Sequence, residues 1–102
     1  MNIIVACTGG LSTSILVDRM KKEAESRGIE CSIEAIGKPE IDKKIEEADF
    51  DVMLLSPQLA AYESEIKEKA SENMVIELID MVKFGSCDGH ATLNLALELC
   101  GK

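Results

Sequence analysis

The sequence predicts an open α/β fold: one domain over residues 1–102, built on a four-stranded parallel sheet of order 2-1-3-4 with helices on both faces. Three observations carry this. Short apolar runs alternate along the chain with segments of helical period, in the order βαβαβαβα. Strands that alternate with helices are joined by right-handed crossovers, which makes the sheet parallel and doubly wound. A chain of 102 residues, 46% hydrophobic and 29% charged, supports one modest core and rules out two domains, a disordered segment or a fibrous repeat.

Residues 2–7 are a short, partly β-branched apolar run stopped by Thr8, Gly9 and Gly10, which predicts a buried strand followed by a turn. Over residues 13–27, Ile15, Leu16, Met20 and Ala24 fall close to a 3.6-residue repeat, with Ser12 as the expected N-cap and Gly28 as the stop. The period then changes. Ile29, Cys31, Ile33 and Ala35 alternate with Glu30, Ser32 and Glu34, a half-exposed strand ending near Gly37 whose polar face suits a sheet edge.

Pro39 opens a second, shorter helix running to about residue 49, with Ile41, Ile45 and Ala48 as its buried stripe. Residues 52–55 are a continuous apolar strand cut off by Ser56 and Pro57, and residues 59–71 form a third helix rich in Glu and Lys. Residues 74–79 make the fourth strand. After a connection holding Gly85 and Gly89, residues 90–100 make a last helix through Leu93, Leu95, Ala96, Leu97 and Leu99. Met20, Met53, Met74 and Met81 read as core filler.

The formal charge of -8 argues against nucleic acid, which needs clustered Lys and Arg against phosphates, and three aromatics leave little for base stacking. The acidity is uneven: residues 1–38 sum to zero, residues 39–73 to -6 and residues 74–102 to -2. An anionic ligand is therefore least opposed near the amino terminus, although charge-rich stretches elsewhere read simply as solvated helix faces. No apolar run approaches the roughly 20 residues of a membrane span, and the opening residues lack the basic lead of a signal peptide. The expectation is a soluble cytoplasmic protein with no direct membrane insertion.

The four cysteines, Cys7, Cys31, Cys87 and Cys100, contain no Cys-x-x-Cys pair, so no disulfide framework is expected. Zinc would require distant cysteines to converge on Cys87 and His90, and the expectation is neither metal nor cofactor. Cys31 and Cys100 read as packing residues. Cys87 reads as a loop residue, its functional alternative being a resolving thiol for Cys7. His90 reads as a surface or capping residue at a helix start, and Asp80 as a solvated loop carboxylate.

The chemistry concentrates in Cys7-Thr8-Gly9-Gly10-Leu11-Ser12-Thr13-Ser14, which joins the first strand to the first helix. In open sheets of this order, ligands bind beyond the carboxyl ends of the strands, at the switch point between strands 1 and 3. The end of strand 1 carries Cys7, and the end of strand 3 carries Ser56-Pro57-Gln58. Backbone N–H groups at a helix start cradle an anion, glycines let the backbone close in on it, and Thr8, Ser12, Thr13 and Ser14 add hydroxyl donors without adding charge. The same helix dipole and amides favour a thiolate, making Cys7 a candidate nucleophile that holds a phosphoryl group covalently. The bland reading is a small buried cysteine closing a strand above an ordinary glycine turn.

The loop is neither a nucleotide P-loop, because no Gly-Lys-Ser/Thr follows, nor a dinucleotide fingerprint. A phosphotyrosine-phosphatase-like enzyme or arsenate reductase would place an arginine clamp six residues after the cysteine, where this chain has Thr13. Arg19 lies roughly 9 Å of helical rise further on and should not complete the cradle. A nucleophile without that clamp is poorly equipped for hydrolysis but able to pass phosphate on.

On these residues the chain resembles the lactose/cellobiose-type enzyme IIB of the bacterial phosphoenolpyruvate-dependent sugar phosphotransferase system. The Cys7-to-Ser14 loop is similar to that family's Cys-Ser-x-Gly-Met-Ser-Thr-Ser, with Thr8 and Leu11 as conservative departures. Ser56-Pro57-Gln58 stands where the family commonly has Gly-Pro-Gln. Phe84-Gly85 and Asp88-Gly89 give a weaker third echo. The resemblance spans essentially the whole chain.

It implies that Cys7 takes a phosphoryl group from a phosphohistidine on enzyme IIA and gives it to a sugar of the lactose, cellobiose, chitobiose or β-glucoside class bound by membrane enzyme IIC. Thr8, Gly9, Gly10, Leu11, Ser12, Thr13 and Ser14 would form the phosphate cradle, and Gln58 would line the opposite wall. A monomer suits such a shuttle. The role further implies a thiol accessible at the loop tip, because donor and acceptor must both reach it. Two other readings stand beside it: a cysteine-dependent phosphatase or arsenate reductase, revealed by turnover of an aryl phosphate or arsenate, and a flavodoxin-like binding module, revealed by cofactor binding insensitive to Cys7→Ser.

Overall fold

A computed structural model of the chain describes residues 1–8, 11–47, 50–70 and 74–100, with the backbone alone at 11 and 12. Strand β1 (Asn2–Cys7) is buried from Ile3 onward. It pairs in parallel with β2 (Ser32–Gly37) on one side and β3 (Val52–Leu55) on the other, and β3 pairs in parallel with β4 (Val75–Leu78). The order is therefore β2-β1-β3-β4, as the sequence predicts. β1 and β3 read as unbroken apolar runs because each has a strand on either side and helices above and below.

Strand alternation divides the apolar residues into two cores. Ile3 and Val5 of β1 and Val52 and Leu54 of β3 pack with helices α1 (Leu11–Ser26) and α5 (Gly89–Leu99), through Leu16, Met20, Leu93 and Ala96. Ile4, Ala6, Met53 and Leu55 point the other way. They meet Ile41 and Ile45 of α2 (Ile41–Glu47), Ile66 of α3 (Glu63–Lys69) and Leu59. The outermost strands each carry a carboxylate, Glu34 in β2 and Glu77 in β4; Glu34 is exposed and bound by Lys44 at 3.1 Å.

α1 ends as expected at Gly28, whose φ of 69° is one that glycine adopts without steric cost. Ile29 N–H donates to Ala24 O and Gly28 N–H to Glu25 O, the paired bonds of a Schellman stop, while Ile29 packs against the core that holds Ala24.

Several expected boundaries move. α1 already includes Leu11 and Ser12, so Ser12 is the second residue of the helix rather than its N-cap; apolar periodicity registers only the turns that meet the core. Ile15 is 56% exposed, and Val17 takes the buried place expected for it. β2 starts at Ser32; Ile29 and Cys31 precede it but pack against the same core, which preserves the alternating appearance. Segments of 3-10 geometry, three residues at Lys38–Glu40 and six at Pro57–Tyr62, lead into α2 and α3, each with a proline at its start. Ala48 and Asp49, expected to close the second helix, lie outside the described residues.

A further short helix, α4 (Met81–Gly85), occupies what the sequence suggests is a plain connection. Asp80 caps it, its carboxylate accepting from the N–H groups of Val82 and Lys83 at 3.0 and 3.2 Å. Asp80 is exposed, as expected, and serves as an N-cap as well, whereas Met81, 74% exposed, is not core filler. α5 starts at Gly89, capped by Asp88. Among the described residues no helix is long and apolar enough to cross a membrane.

Candidate active site

Helices α1 and α2 pack on opposite faces of the sheet, which puts the topological switch point beyond the carboxyl ends of β1 and β3. Cys7, the last residue of β1, pairs with Gly37 of β2. Alternation puts its side chain on the face of Ile3 and Val5, under the first turn of α1. Its sulfur lies 3.6 Å from Thr13 Oγ1, and both residues are 0% exposed. The thiol is therefore buried, not open at the loop tip as expected. The reason is geometric: the alternation that buries Ile3 and Val5 also turns Cys7 inward, toward the helix.

Thr8 points the other way and is exposed. Its hydroxyl donates to Gln58 Oε1 at 3.4 Å, so residue 58 does stand against the loop that follows β1. The turn carrying Gln58 is held by Leu59, fully buried, whose N–H donates to Ser56 O at 2.9 Å. Ser14 sits exposed in the first turn of α1. Gly9 and Gly10, and the side chains of Leu11 and Ser12, lie outside the described residues.

Ser56 extends β3 by one residue, with φ -65° and ψ 155°, and its N–H donates to Ala6 O at 2.8 Å. It is fully buried, and its hydroxyl has no hydrogen-bond partner among the described residues. Sequence reasoning weighed this residue only as a substitute for glycine. The signal for more was its place directly after a continuous buried strand.

Arg19 stays out of the site. Its Nη1 donates to the carbonyls of Ser86 and Cys87 at 3.3 and 3.2 Å, tying α1 to the connection between α4 and α5. Cys87 has a φ of 53° and closes α4 in a second Schellman arrangement, with Cys87 N–H to Phe84 O and Asp88 N–H to Lys83 O. It is a free thiol at a helix stop. Cys31 and Cys100 pack partly buried against the α1/α5 core.

His90 is exposed on the outer seam of α1 and α5. Its Nδ1 lies 2.9 Å from Glu23 Oε2 and 2.7 Å from Arg27 Nη2, donating to the first when protonated there and accepting from the second when not. Hydrogen bonds from His90 and then Arg27 hold the Glu23 carboxyl below its usual 4.5. Arg27 also donates to Asn94 Oδ1 at 2.7 Å.

Residues 2–95 match the family model described as "PTS system, Lactose/Cellobiose specific IIB subunit". The chain belongs to this family. It is 38% identical over 98 residues to the PTS system oligo-beta-mannoside-specific EIIB component of Bacillus subtilis (strain 168), covering 95% of this chain and 93% of the relative. It is 34% identical over 101 residues to the galactose-specific EIIB component of Lactococcus lactis subsp. cremoris, covering 95% and 94%. Among solved structures it superposes with a TM-score of 0.80 on the cellobiose-specific IIB component of Borrelia burgdorferi, at 34% identity over 99% of this chain and 92% of that one. The lactose-specific IIB domain of Streptococcus pneumoniae also gives 0.80, at 19% identity over 96% and 95%, which speaks for the fold alone.

As a IIB subunit the protein is a phosphotransferase component of a sugar phosphotransferase system. The family match covers every element from β1 into α5, so the switch point at β1 and β3 lies within the matched framework.

Proposed function

We propose that Cys7 is the phosphoryl carrier of this IIB subunit. Its sulfur attacks phosphorus on the phosphohistidine of an enzyme IIA; the N–P bond breaks, an S–P bond forms, and the thiol proton ends on the released imidazole. A sugar hydroxyl held by membrane enzyme IIC then attacks the same phosphorus. The S–P bond breaks, an O–P bond forms, and the hydroxyl proton replaces the phosphoryl group on sulfur. Phosphoryl transfer of this kind asks the protein for positioning and charge stabilisation rather than bond chemistry of its own.

The observation that carries this reading is the placement of Cys7 at the end of the central strand, under the amino-terminal turn of α1 and 3.6 Å from the Thr13 hydroxyl. By the resemblance of this loop to the family's, Thr8, Gly9, Gly10, Leu11, Ser12, Thr13 and Ser14 are assigned the phosphate cradle and Gln58 the far wall; of the hydroxyls, that of Thr13 is the one placed against the sulfur. Because the sulfur is buried, donor and acceptor reach it only when the atoms covering it move aside. Access is thereby coupled to engagement of IIA or IIC.

Both encounters take place at the cytoplasmic side of the membrane, with the IIB subunit acting as a single copy. The sugar is of the β-glycoside class; relatives of equal 34% identity carry galactose-specific and cellobiose-specific names, as expected when IIC does the choosing. The phosphatase reading finds no support, since Arg19 is engaged elsewhere and Thr13 stands where the clamp would be.

Intact-mass measurement after incubation with a phosphorylated lactose/cellobiose-type IIA protein should show one added phosphoryl group, and Cys7→Ser should abolish it. Unchanged labelling of that variant would falsify the assignment.

A further inference from the structure

We infer that the Ser56 hydroxyl binds the phosphoryl group on Cys7. The inference rests on the reading of Cys7 as the carrier. β1 and β3 are in parallel register with Ala6 opposite Leu55, and the Ser56 N–H to Ala6 O bond continues the ladder, so the next opposed pair is Cys7 and Ser56. Neighbouring strands lie about 4.8 Å apart. Alternation puts both side chains on the face of Ile3, Val5, Val52 and Leu54, so they stand side by side beneath α1.

Ser56 is 0% exposed and its Oγ has no hydrogen-bond partner among the described residues. A buried hydroxyl in that state costs stability, and alanine or glycine would satisfy the backbone before Pro57 equally well. The cost is offset in a state that supplies an acceptor. A phosphoryl group on the neighbouring sulfur supplies three, within a side chain's length of Oγ, and the bond is strengthened by the phosphoryl charge. Ser56 would thus be unsatisfied in the thiol form and satisfied in the phosphocysteine form.

The test compares wild type, Ser56→Ala and Ser56→Gly as full chains. Each is equilibrated with a phosphorylated lactose/cellobiose-type IIA protein, and the fraction phosphorylated is read by intact mass. The phosphorus NMR resonance of the phosphocysteine and the Tm of the unphosphorylated protein are measured alongside. Both variants should shift the phosphoryl equilibrium about ten-fold back toward IIA and move the resonance. The unphosphorylated Ser56→Ala chain should melt no lower than wild type, and Ser56→Thr should recover the equilibrium. An equilibrium within two-fold of wild type in a folded Ser56→Ala or Ser56→Gly chain overturns the inference and leaves Cys7 as carrier. Absence of label on wild-type Cys7 removes the underlying reading and this inference with it. If one variant fails to fold, the other decides.

Discussion

Cys7 Sγ and Thr13 Oγ1 lie 3.6 Å apart with neither residue exposed, a contact that joins the end of the central strand to the first turn of the helix above it. In the resting protein, Cys7 should therefore be the slowest of the four cysteines toward a bulky thiol reagent, because Cys31, Cys87 and Cys100 are each partly exposed. Timed alkylation with peptide mapping measures this; Cys7 labelled as fast as Cys87 would contradict the burial. Thr13→Val keeps the shape and removes the hydroxyl, and should slow phosphoryl acceptance from IIA by about ten-fold.

Gly89 is the close-packing point between α5 and α1. A Cβ there would lie 2.7 Å from both the carbonyl carbon and Cβ of Arg19 and 2.9 Å from the Met20 amide nitrogen. Backbone cannot yield as a side-chain tip can, so Gly89→Ala should push the helices apart at a cost of about 1–3 kcal/mol. Thermal unfolding should show a drop of several degrees, and an unchanged Tm would mean that α5 is free to shift.

Thr92 on α5 is fully buried and its hydroxyl has no hydrogen-bond partner among the described residues. Thr92→Val removes that polar atom at nearly constant shape and should stabilise the protein by about 1 kcal/mol. A lower Tm in the variant would show that the hydroxyl is engaged in solution, for instance by a buried water.

The lowered Glu23 pKa sets a pH dependence. The folded value lies below the ordinary 4.5, so the stability that Glu23 contributes is fully present above that pH and lost as pH falls through the folded value. The Tm gap between wild type and Glu23→Gln should be constant near neutrality and close on acidification below 4.5. A gap that held in strong acid would disconnect Glu23 from His90 and Arg27.

The sheet was legible because β1 and β3 are apolar without interruption, a pattern that central parallel strands require, and β2 shows the alternation of an edge. The switch point followed from strand order, and it correctly brought Cys7 and residues 56–58 to one end of the sheet. What periodicity missed was local. α4 is held by the Asp80 cap and exposes Met81 and Val82, so it has no buried stripe to detect. Ile15 matches a helical repeat yet faces solvent, because Leu16 and Val17 already fill the face that α1 turns to the sheet. The burial of Cys7 was hidden for another reason: the motif offers a candidate nucleophile, but strand parity decides which way it points.

The two outer strands have a further consequence. β2 and β4 end the sheet with unpaired backbone, the surface on which another chain can add a strand and start an aggregate. Each of these strands carries a charged side chain, Glu34 paired with Lys44 in β2 and Glu77 in β4, and charge on an edge strand opposes such addition because a docking strand would have to desolvate it. Two ordinary carboxylates thus disfavour growth of the sheet by addition of a further strand.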